Sequence, residues 1–378
     1  MRPRSVALAA VLAVPALALT GCAADDATGA AGDAITVNAT DTACEVSRTT
    51  APAGQVEFTV TNAGTKVNEF YLYAEGDRIV GEVENISPGL TRTFHVDLSD
   101  PGTYQTACKP GMVGDGIRAD FTVTWSAAAA STSTDAALAD AVTEYQEFVA
   151  GQSDAFLERT TEFVALVKAG KVDEAKALYP TARSHWERIE PVAESFGDLD
   201  PKIDGRAEVV DDGMRFTGYH RLEKDLWVDG LQPDSSAIAD QLLTDVTELV
   251  ARAKAVQLNP LQLANGSKAL LDEMATGKIT GEEERYSHTD LWDFDANFEG
   301  SQAAIEALRP FLKAKNPALL ATIDERATAL DELIDSHQKG DGFVLHPALS
   351  PADLRALTEA LDAFSEPVAT VAGEVAGK

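Results

Sequence analysis

The sequence predicts a multidomain protein in which an N-terminal antiparallel β-sandwich precedes an all-α region of two packed helical bundles. Residues 34–125 contain short runs rich in β-branched and aromatic residues, several of which alternate apolar and polar side chains. Residues 135–378 are dominated by Ala, Leu, Glu and Lys, with apolar residues at helical spacing. Between them, residues 126–134 are small and polar, which is typical of a linker.

The first 21 residues have the features of a secretory signal. Arg2 and Arg4 precede an apolar stretch, Val6–Leu19, that is too short and wrongly flanked for a transmembrane helix. The stretch ends in Leu-Thr-Gly-Cys, which resembles the lipobox of bacterial lipoproteins. The acidic, small-residue run after it predicts a flexible tether over residues 22–33. The lipobox resemblance implies cleavage before Cys22, lipid on the Cys22 thiol, and a secreted protein anchored at the outer face of the cytoplasmic membrane. An ordinary signal with an incidental cysteine is the alternative.

The chain is strongly acidic, with 31 Lys and Arg, 61 Asp and Glu, and a formal net charge of −30. Cleavage before Cys22 would leave 29 basic and 61 acidic residues, a charge of −32. This excess argues against a nucleic-acid partner, because phosphate contacts need Lys and Arg. Cations are the ligands that such a field attracts.

Five strands are predicted in the N-terminal part, each bounded by turns rich in Gly, Pro, Asn or Asp. They are Ile35–Ala39, Gln55–Val60, Glu69–Tyr73, Thr91–Val96 and Phe121–Trp125. Strands of this length at this spacing predict a small antiparallel sandwich. In the C-terminal part, Gly, Pro and Asn residues mark helix ends, and Ser350 followed by Pro351 predicts a capped helix start.

The chain has six histidines, and His220 lies in the strongest local cluster. Glu223 follows three residues later, so a helix would place both side chains on one face. An imidazole nitrogen and a carboxylate oxygen at this spacing bind metal in di-iron bundles. A surface His–Glu pair is the alternative.

Two acidic segments are further candidates. Glu282–Glu284 opens a predicted helix next to the aromatic residues Tyr286 and Trp292. A second group runs from Glu190 to Asp204 near a predicted loop. Carboxylates at a helix start or on a solvated face are also favourable without a metal, so both interpretations stay open.

The predicted sandwich contains Cys44, Cys108 and one histidine, His95. A blue-copper site needs Cys, His and Met close together, and no histidine lies between Cys108 and Met112, so such a site is not predicted. Outside the cytoplasm the two cysteines form either a disulfide or a mixed thiolate and carboxylate metal site. The acids that would join the second alternative are Glu45, Glu69, Glu82 and Glu84.

The motif His220-Arg-Leu-Glu223 resembles the His-x-x-Glu signature of imelysin-like domains. Motifs at residues 177–183, 188–200, 281–294 and 299–302 strengthen this resemblance. With a cupredoxin-like domain in front, nearly the whole mature chain is similar to the extracytoplasmic components of bacterial Efe iron-uptake systems. The resemblance implies an iron-binding protein that works with an iron permease and a haem-containing, peroxidase-like partner.

The same resemblance implies metal ligands in both domains. In the helical domain they are His220 and Glu223, with Glu283 and Asp204 as further carboxylates. In the cupredoxin-like domain the family's two cysteines match Cys44 and Cys108, and an acidic ligand matches Glu69. The lipobox departs from the periplasmic relatives and indicates work at a membrane.

The predicted function is therefore capture of iron for a membrane permease. Carboxylates with one imidazole suit iron, zinc or manganese, and copper is a further candidate cofactor. One alternative is a zinc peptidase, because imelysin-like domains have been grouped with peptidases. The inverted zincin motif His-x-x-Glu-His has a second histidine where this chain has Lys224. The other alternative is a redox module that oxidises ferrous iron.

Overall fold

The computed structural model describes residues 34–126, 135–193, 195–207 and 215–377. The predicted signal segment, the tether with Cys22 and most of the linker lie outside these residues. Strands begin at Ile35 and helices at Ala136, and the domain limits drawn from the sequence stay predictions.

Two packed sheets build the N-terminal domain. Their strands are β1 (Ile35–Ala39), β2 (Cys44–Val46), β3 (Thr50–Pro52), β4 (Gly54–Asn62), β5 (Asn68–Tyr73), β6 (Ile79–Ile86), β7 (Thr91–Leu98), β8 (Gly102–Cys108) and β9 (Ile117–Thr124). One sheet has the order β2-β1-β4-β7 and the other β3-β9-β8-β5-β6. Phe58, Phe70 and Phe121 are fully buried between them, which explains the period-two pattern of these strands.

The sandwich contains parallel as well as antiparallel strand pairs, whereas the sequence predicted an antiparallel sandwich. Strand β1 pairs in parallel with β4, and β3 pairs in parallel with β9. The physical reason is the chain path: after the β1–β2 hairpin the chain crosses to the second sheet at β3. It then returns to the first sheet as β4, running in the same direction as β1.

Helices dominate the second domain. They are α1 (Ala136–Lys168), α2 (Val172–Glu187), α3 (Glu190–Ala193), α4 (Asp200–Ile203), α5 (Gly218–Lys224), α6 (Ser235–Ala255), α7 (Pro260–Thr276), α8 (Asp290–Lys315), α9 (Pro317–Asp335), α10 (Pro351–Val368) and α11 (Val371–Val375). The long α1 packs along α2, α6 and α8, while α7 packs on α8 and α10. Because α8 belongs to both groups, they share one continuous apolar core. A sheet domain followed by a helical domain confirms the predicted fold class.

Three local details qualify the sequence predictions. Ser350 caps α10, since its Oγ accepts a hydrogen bond from the Asp353 amide at 3.2 Å. Glu282–Glu284 does not start a helix: the segment forms turns, and α8 begins later, at Asp290. The Asp290 carboxylate instead accepts a hydrogen bond from the Glu284 amide at 3.0 Å, which fixes the turn before α8. A short hairpin of β10 (Gln338–Lys339) and β11 (Gly342–Phe343) was not predicted.

The two domains touch along the β6–β7 side of the sandwich. The Ile79 amide donates to the Ser195 carbonyl at 3.1 Å, and the Asn265 side chain donates to the His95 carbonyl at 2.7 Å. These contacts hold sandwich strands beside the loops that carry the candidate site. Among the described residues, no helix combines the length and apolar character needed to cross a bilayer.

Candidate metal centre

Helix α5 carries His220 and Glu223, and its start is fixed by Gly218. Gly218 has φ of 77°, and a Cβ there would lie 2.2 Å from the Ile203 carbonyl oxygen, so the close approach to α4 requires glycine. After α5 the chain continues as a π-helical turn, Asp225–Asp229, a distortion that is frequent at functional sites. His220 and Glu223 are both buried and lie on one face, as their spacing predicted.

Glu223 uses both of its carboxylate oxygens within the protein. Oε2 lies 3.3 Å from His220 Nδ1, while Oε1 accepts hydrogen bonds from the Tyr286 and Ser287 amides at 2.8 and 2.7 Å. Burial alone would raise the pKa of Glu223, but the hydrogen bonds from His220 and the two amides lower it. The charged carboxylate therefore holds the imidazole in one orientation, as partners of ligating histidines commonly do.

The other imidazole nitrogen, His220 Nε2, faces two more predicted ligands. Glu283 Oε1 lies 3.5 Å away and Asp204 Oδ1 3.6 Å away, and Nε2 has no hydrogen-bond partner in the described structure. Burial and the Arg183 charge disfavour protonation of His220, but Asp204, Glu223 and Glu283 outweigh them and raise its pKa to about 10. His220, Asp204 and Glu283 are close enough to share one metal ion.

Asp204 also joins Glu187 and Glu190 in a second group with metal-ligand spacing. Glu187 ends α2 and Glu190 opens α3, so the break between these helices turns both carboxylates inward. Asn297 donates to one oxygen of each, at 3.1 and 2.9 Å. Burial raises the pKa of Glu190 well above its usual value, and the negative charge of Glu187 adds to this effect. Glu187 is absent from the sequence prediction, although its spacing of three from Glu190 is a usable signal.

The described structure thus places five potential ligands in two groups that share Asp204. They are Glu187, Glu190, Asp204, His220 and Glu283. Four carboxylates with one imidazole form a donor set that suits iron, zinc or manganese. We call these five residues the candidate metal centre.

Arg183 is fully buried beside this centre and is surrounded by carboxylates. Those carboxylates belong to Glu187, Asp204, Glu283, Glu284 and Asp293. Its Nε atom lies 2.6 Å from Glu284 Oε1 and 3.8 Å from Asp293 Oδ1. Because each carboxylate would be costly to bury alone, the guanidinium helps to keep them in place.

Glu284 and Asp293 also contact Arg183, and Glu284 forms a further group with metal-ligand spacing together with His220 and Glu223. Burial raises the pKa of Glu284 well above its usual value, and the negative charge of Glu223 adds to this effect. Burial and the negative charge of Glu284 raise the pKa of Asp293 in the same way. Tyr179 and Ser287 donate to Glu284 at 3.3 and 2.9 Å. A raised pKa means that burial favours the neutral form of both carboxyl groups.

The predicted cluster of Cys44, Cys108 and Glu69 does not form. Cys44 and Cys108 are joined in a disulfide, so neither sulfur is a thiolate ligand in this structure. The prediction that they bind metal is therefore corrected, and the disulfide alternative holds. Glu69 also points the wrong way: Cys108 packs in the sandwich core with Phe70, whereas Glu69 accepts a hydrogen bond from Tyr71 on the opposite face of β5.

On that opposite face, Glu69 belongs to an acidic cluster at the domain interface. Tyr71 donates to Glu69 at 3.0 Å and also contacts Glu84. Glu84 shares a hydrogen bond with Glu273 of α7, across the interface. Burial raises the pKa of Glu69 and Glu84 to about 7 and that of Glu273 to about 8.

A cleft with a volume of about 520 Å³ runs between the two domains next to this cluster. Its walls include Tyr71, Glu82 and Glu84 from the sandwich. They also include Glu190, Asp204, Glu273 and Glu283 from the helical domain. Three of these residues belong to the candidate metal centre, so the cleft connects that centre to solvent.

The Glu84–Glu273 contact predicts a pH-dependent interface. Both carboxyl groups have a folded-state pKa above the ordinary 4.5, so the folded protein holds more protons than the unfolded chain between about pH 5 and 8. The free energy of unfolding should therefore be highest below this range and fall as pH rises through it. Each proton contributes at most about 1.4 kcal/mol per pH unit.

The test compares Glu273→Gln with the wild type in urea unfolding at pH 5.5, 7 and 8.5. The amide hydrogen-bonds to Glu84 without a shared proton, so the variant should lose less stability on going from pH 5.5 to 8.5. Glu325→Gln on the exposed face of α9 is the control and should keep the wild-type dependence. Parallel curves for wild type and Glu273→Gln would contradict the prediction.

Comparison with known proteins agrees with this architecture. The imelysin family model matches residues 141–371, and the model for a cupredoxin-like domain matches residues 8–123. The chain is 38% identical over 344 residues to the iron uptake system component EfeO of Escherichia coli K12, covering 90% of each chain. The chain belongs to the EfeO family. The EfeO proteins of E. coli O157:H7 and Shigella flexneri show the same identity and coverage.

Membership of the EfeO family confirms the cupredoxin-like and imelysin-like resemblances drawn from the sequence. The imelysin match spans all five residues of the candidate metal centre. The cupredoxin-like match spans the disulfide and the sandwich side of the acidic cluster at the interface.

Proposed function

We propose that this protein captures iron outside the cytoplasm and supplies it to a membrane permease, with the candidate metal centre as the binding site. The observation that carries the proposal is that two groups of side chains with metal-ligand spacing share Asp204 and together contain four carboxylates and the imidazole of His220. The names of the relatives, iron uptake system components, support iron as the cargo.

In this proposal His220 binds the ion through Nε2, and Asp204 and Glu283 bind it from the same side. The distances of 3.5 and 3.6 Å from Nε2 to these carboxylates are close to the separation of neighbouring ligands around one ion with bonds of about 2.0–2.2 Å. Glu223 is then a positioning residue, because its oxygens are already engaged by Nδ1 and two amides. Glu187 and Glu190, which have metal-ligand spacing with Asp204, add further carboxylate oxygens.

Anaerobic calorimetric titration of the mature chain, residues 22–378, with Fe²⁺ tests this function. We expect saturable binding of one ion per chain, weakened at low pH because carboxylates and imidazole bind metal when deprotonated. Absence of saturable heat at pH 7 with Fe²⁺ and also with Fe³⁺ supplied as citrate would refute the proposal.

We further propose that the protein works at the membrane through lipid on Cys22, together with a permease and a haem-containing, peroxidase-like partner. The support is the lipobox resemblance and the EfeO family membership. Membrane fractionation tests it: Cys22→Ser should move the chain from the membrane to the soluble fraction, and an unchanged distribution would argue against the anchor.

A further inference from the structure

Lys278 places a positive charge inside the candidate metal centre. Its side chain is 1% exposed, and Nζ lies 3.0 Å from Glu190 Oε1, 3.4 Å from Glu187 Oε2 and 4.0 Å from Glu283 Oε2. All three carboxylates belong to the centre. A fourth, Glu273 Oε2, lies 3.7 Å away on the side of the interdomain cleft.

The ammonium thus occupies a position where the surrounding carboxylates would also attract a metal ion. Oxygen ligands surround Nζ at 3.0–4.0 Å, whereas bonds from carboxylate oxygen to a first-row metal ion are about 2.0–2.2 Å. Since Nζ and a metal ion would compete for Glu187, Glu190 and Glu283, the two charges cannot share these ligands at close range.

The position of Lys278 in a short turn allows its ammonium group to move away from the candidate metal centre. It begins a three-residue 3₁₀ turn, Lys278–Thr280, between Gly277 and Gly281. A lysine ammonium is a compact charge on a flexible four-carbon stem. The guanidinium of Arg183 is planar and contacts five carboxylates from near the C-terminal end of α2. Glu273, which is outside the centre, provides a partner for a displaced ammonium.

We propose that Lys278 is a tethered cation that holds the candidate metal centre in the absence of metal and is displaced toward Glu273 and the cleft when an ion binds. The inference rests on the proposed function and assigns Lys278 the role of setting metal affinity. With the ammonium present, the carboxylates stay together without metal, and the bound ion is released more easily to a downstream acceptor.

Anaerobic Fe²⁺ titration of Lys278→Met tests this role. Methionine keeps the length and apolar stem but removes the charge, so we expect binding at least tenfold tighter than in the wild type. Without metal, the variant should unfold at a lower temperature, because the carboxylates lose a counter-charge. Lys268→Met is the matched control: Lys268 pairs with Asp272 on the same helical region but away from the centre, and its Kd should stay within twofold of wild type.

If the wild type binds Fe²⁺ and Lys278→Met binds it with an equal or higher Kd, the inference is overturned. That result differs from failure of the proposed function, in which the wild type itself binds no iron. If Lys278→Met does not fold, a structure of the wild-type chain loaded with Zn²⁺ decides. Nζ more than 4.5 Å from both Glu190 oxygens supports displacement, and Nζ still within 3.5 Å of them with metal bound overturns it.

Discussion

Iron binding is expected to weaken by at least about 100-fold in His220→Ala and by a smaller factor, about 10- to 100-fold, in Glu223→Gln. His220 is the nitrogen donor of the candidate metal centre, and its Nε2 faces Asp204 and Glu283. Alanine removes that donor and leaves only oxygen ligands at this position.

Glu223→Gln changes the proton on the imidazole instead of removing a ligand. The amides of Tyr286 and Ser287 require an acceptor, so the glutamine oxygen faces them and its NH2 group faces His220 Nδ1. Nδ1 must then accept, which puts the proton on Nε2, the nitrogen that is to bind iron. The variant should therefore keep one site per chain but bind iron more weakly.

Fe²⁺ titrations of the two variants beside His185→Ala measure this difference. His185 is half-buried and bonded to Gln152, away from the centre, so its replacement should leave the Kd within twofold. Equal losses in His220→Ala and Glu223→Gln would favour direct ligation by both residues, as the sequence predicted. Unchanged binding in His220→Ala would place the iron site elsewhere.

The sequence locates parts of the centre that depend on local spacing. His220 and Glu223 meet because a helix brings residues three apart together, whatever the rest of the fold does. Asp204 and Glu283 came from the family resemblance, since residues in separate loops meet only through tertiary packing. The grouping of Cys44, Cys108 and Glu69 failed because strand register is non-local. Alternation along β5 separates Glu69 from Phe70, but only the pairing of β5 with β8 shows that Cys108 lies on the Phe70 face.

The buried cations were not predictable for a different reason. Lysine and arginine are usually exposed, so a sequence gives no sign that Arg183 or Lys278 is enclosed. Strand β6 was missed for a related reason. Its acids Glu82 and Glu84 look solvated in the sequence but lie half-buried against the helical domain. In each case the partner that makes burial possible comes from a distant segment of the chain.

Arg183→Met is expected to destabilise the protein by about 3–5 kcal/mol, the largest stability effect among the changes considered. The guanidinium is fully buried and contacts carboxylates from three separate segments: the end of α2, the loop after α4 and the region before and at the start of α8. Methionine fills similar space but leaves these carboxylates without their shared counter-charge. They must then take up protons or turn toward water, and both alternatives loosen the packing between α2 and α8.

Urea unfolding followed by circular dichroism measures this effect, with Arg309→Met as the matched control. Arg309 also bridges acids, Glu306 and Asp324, but it is about one-third exposed, so its loss should cost about 1 kcal/mol or less. A loss below about 1 kcal/mol in Arg183→Met would show that the carboxylates of the centre do not depend on this charge. The two buried cations should therefore differ in their effects. Replacing Arg183 should mainly lower the free energy of unfolding, whereas replacing Lys278 should mainly lower the Kd for Fe²⁺.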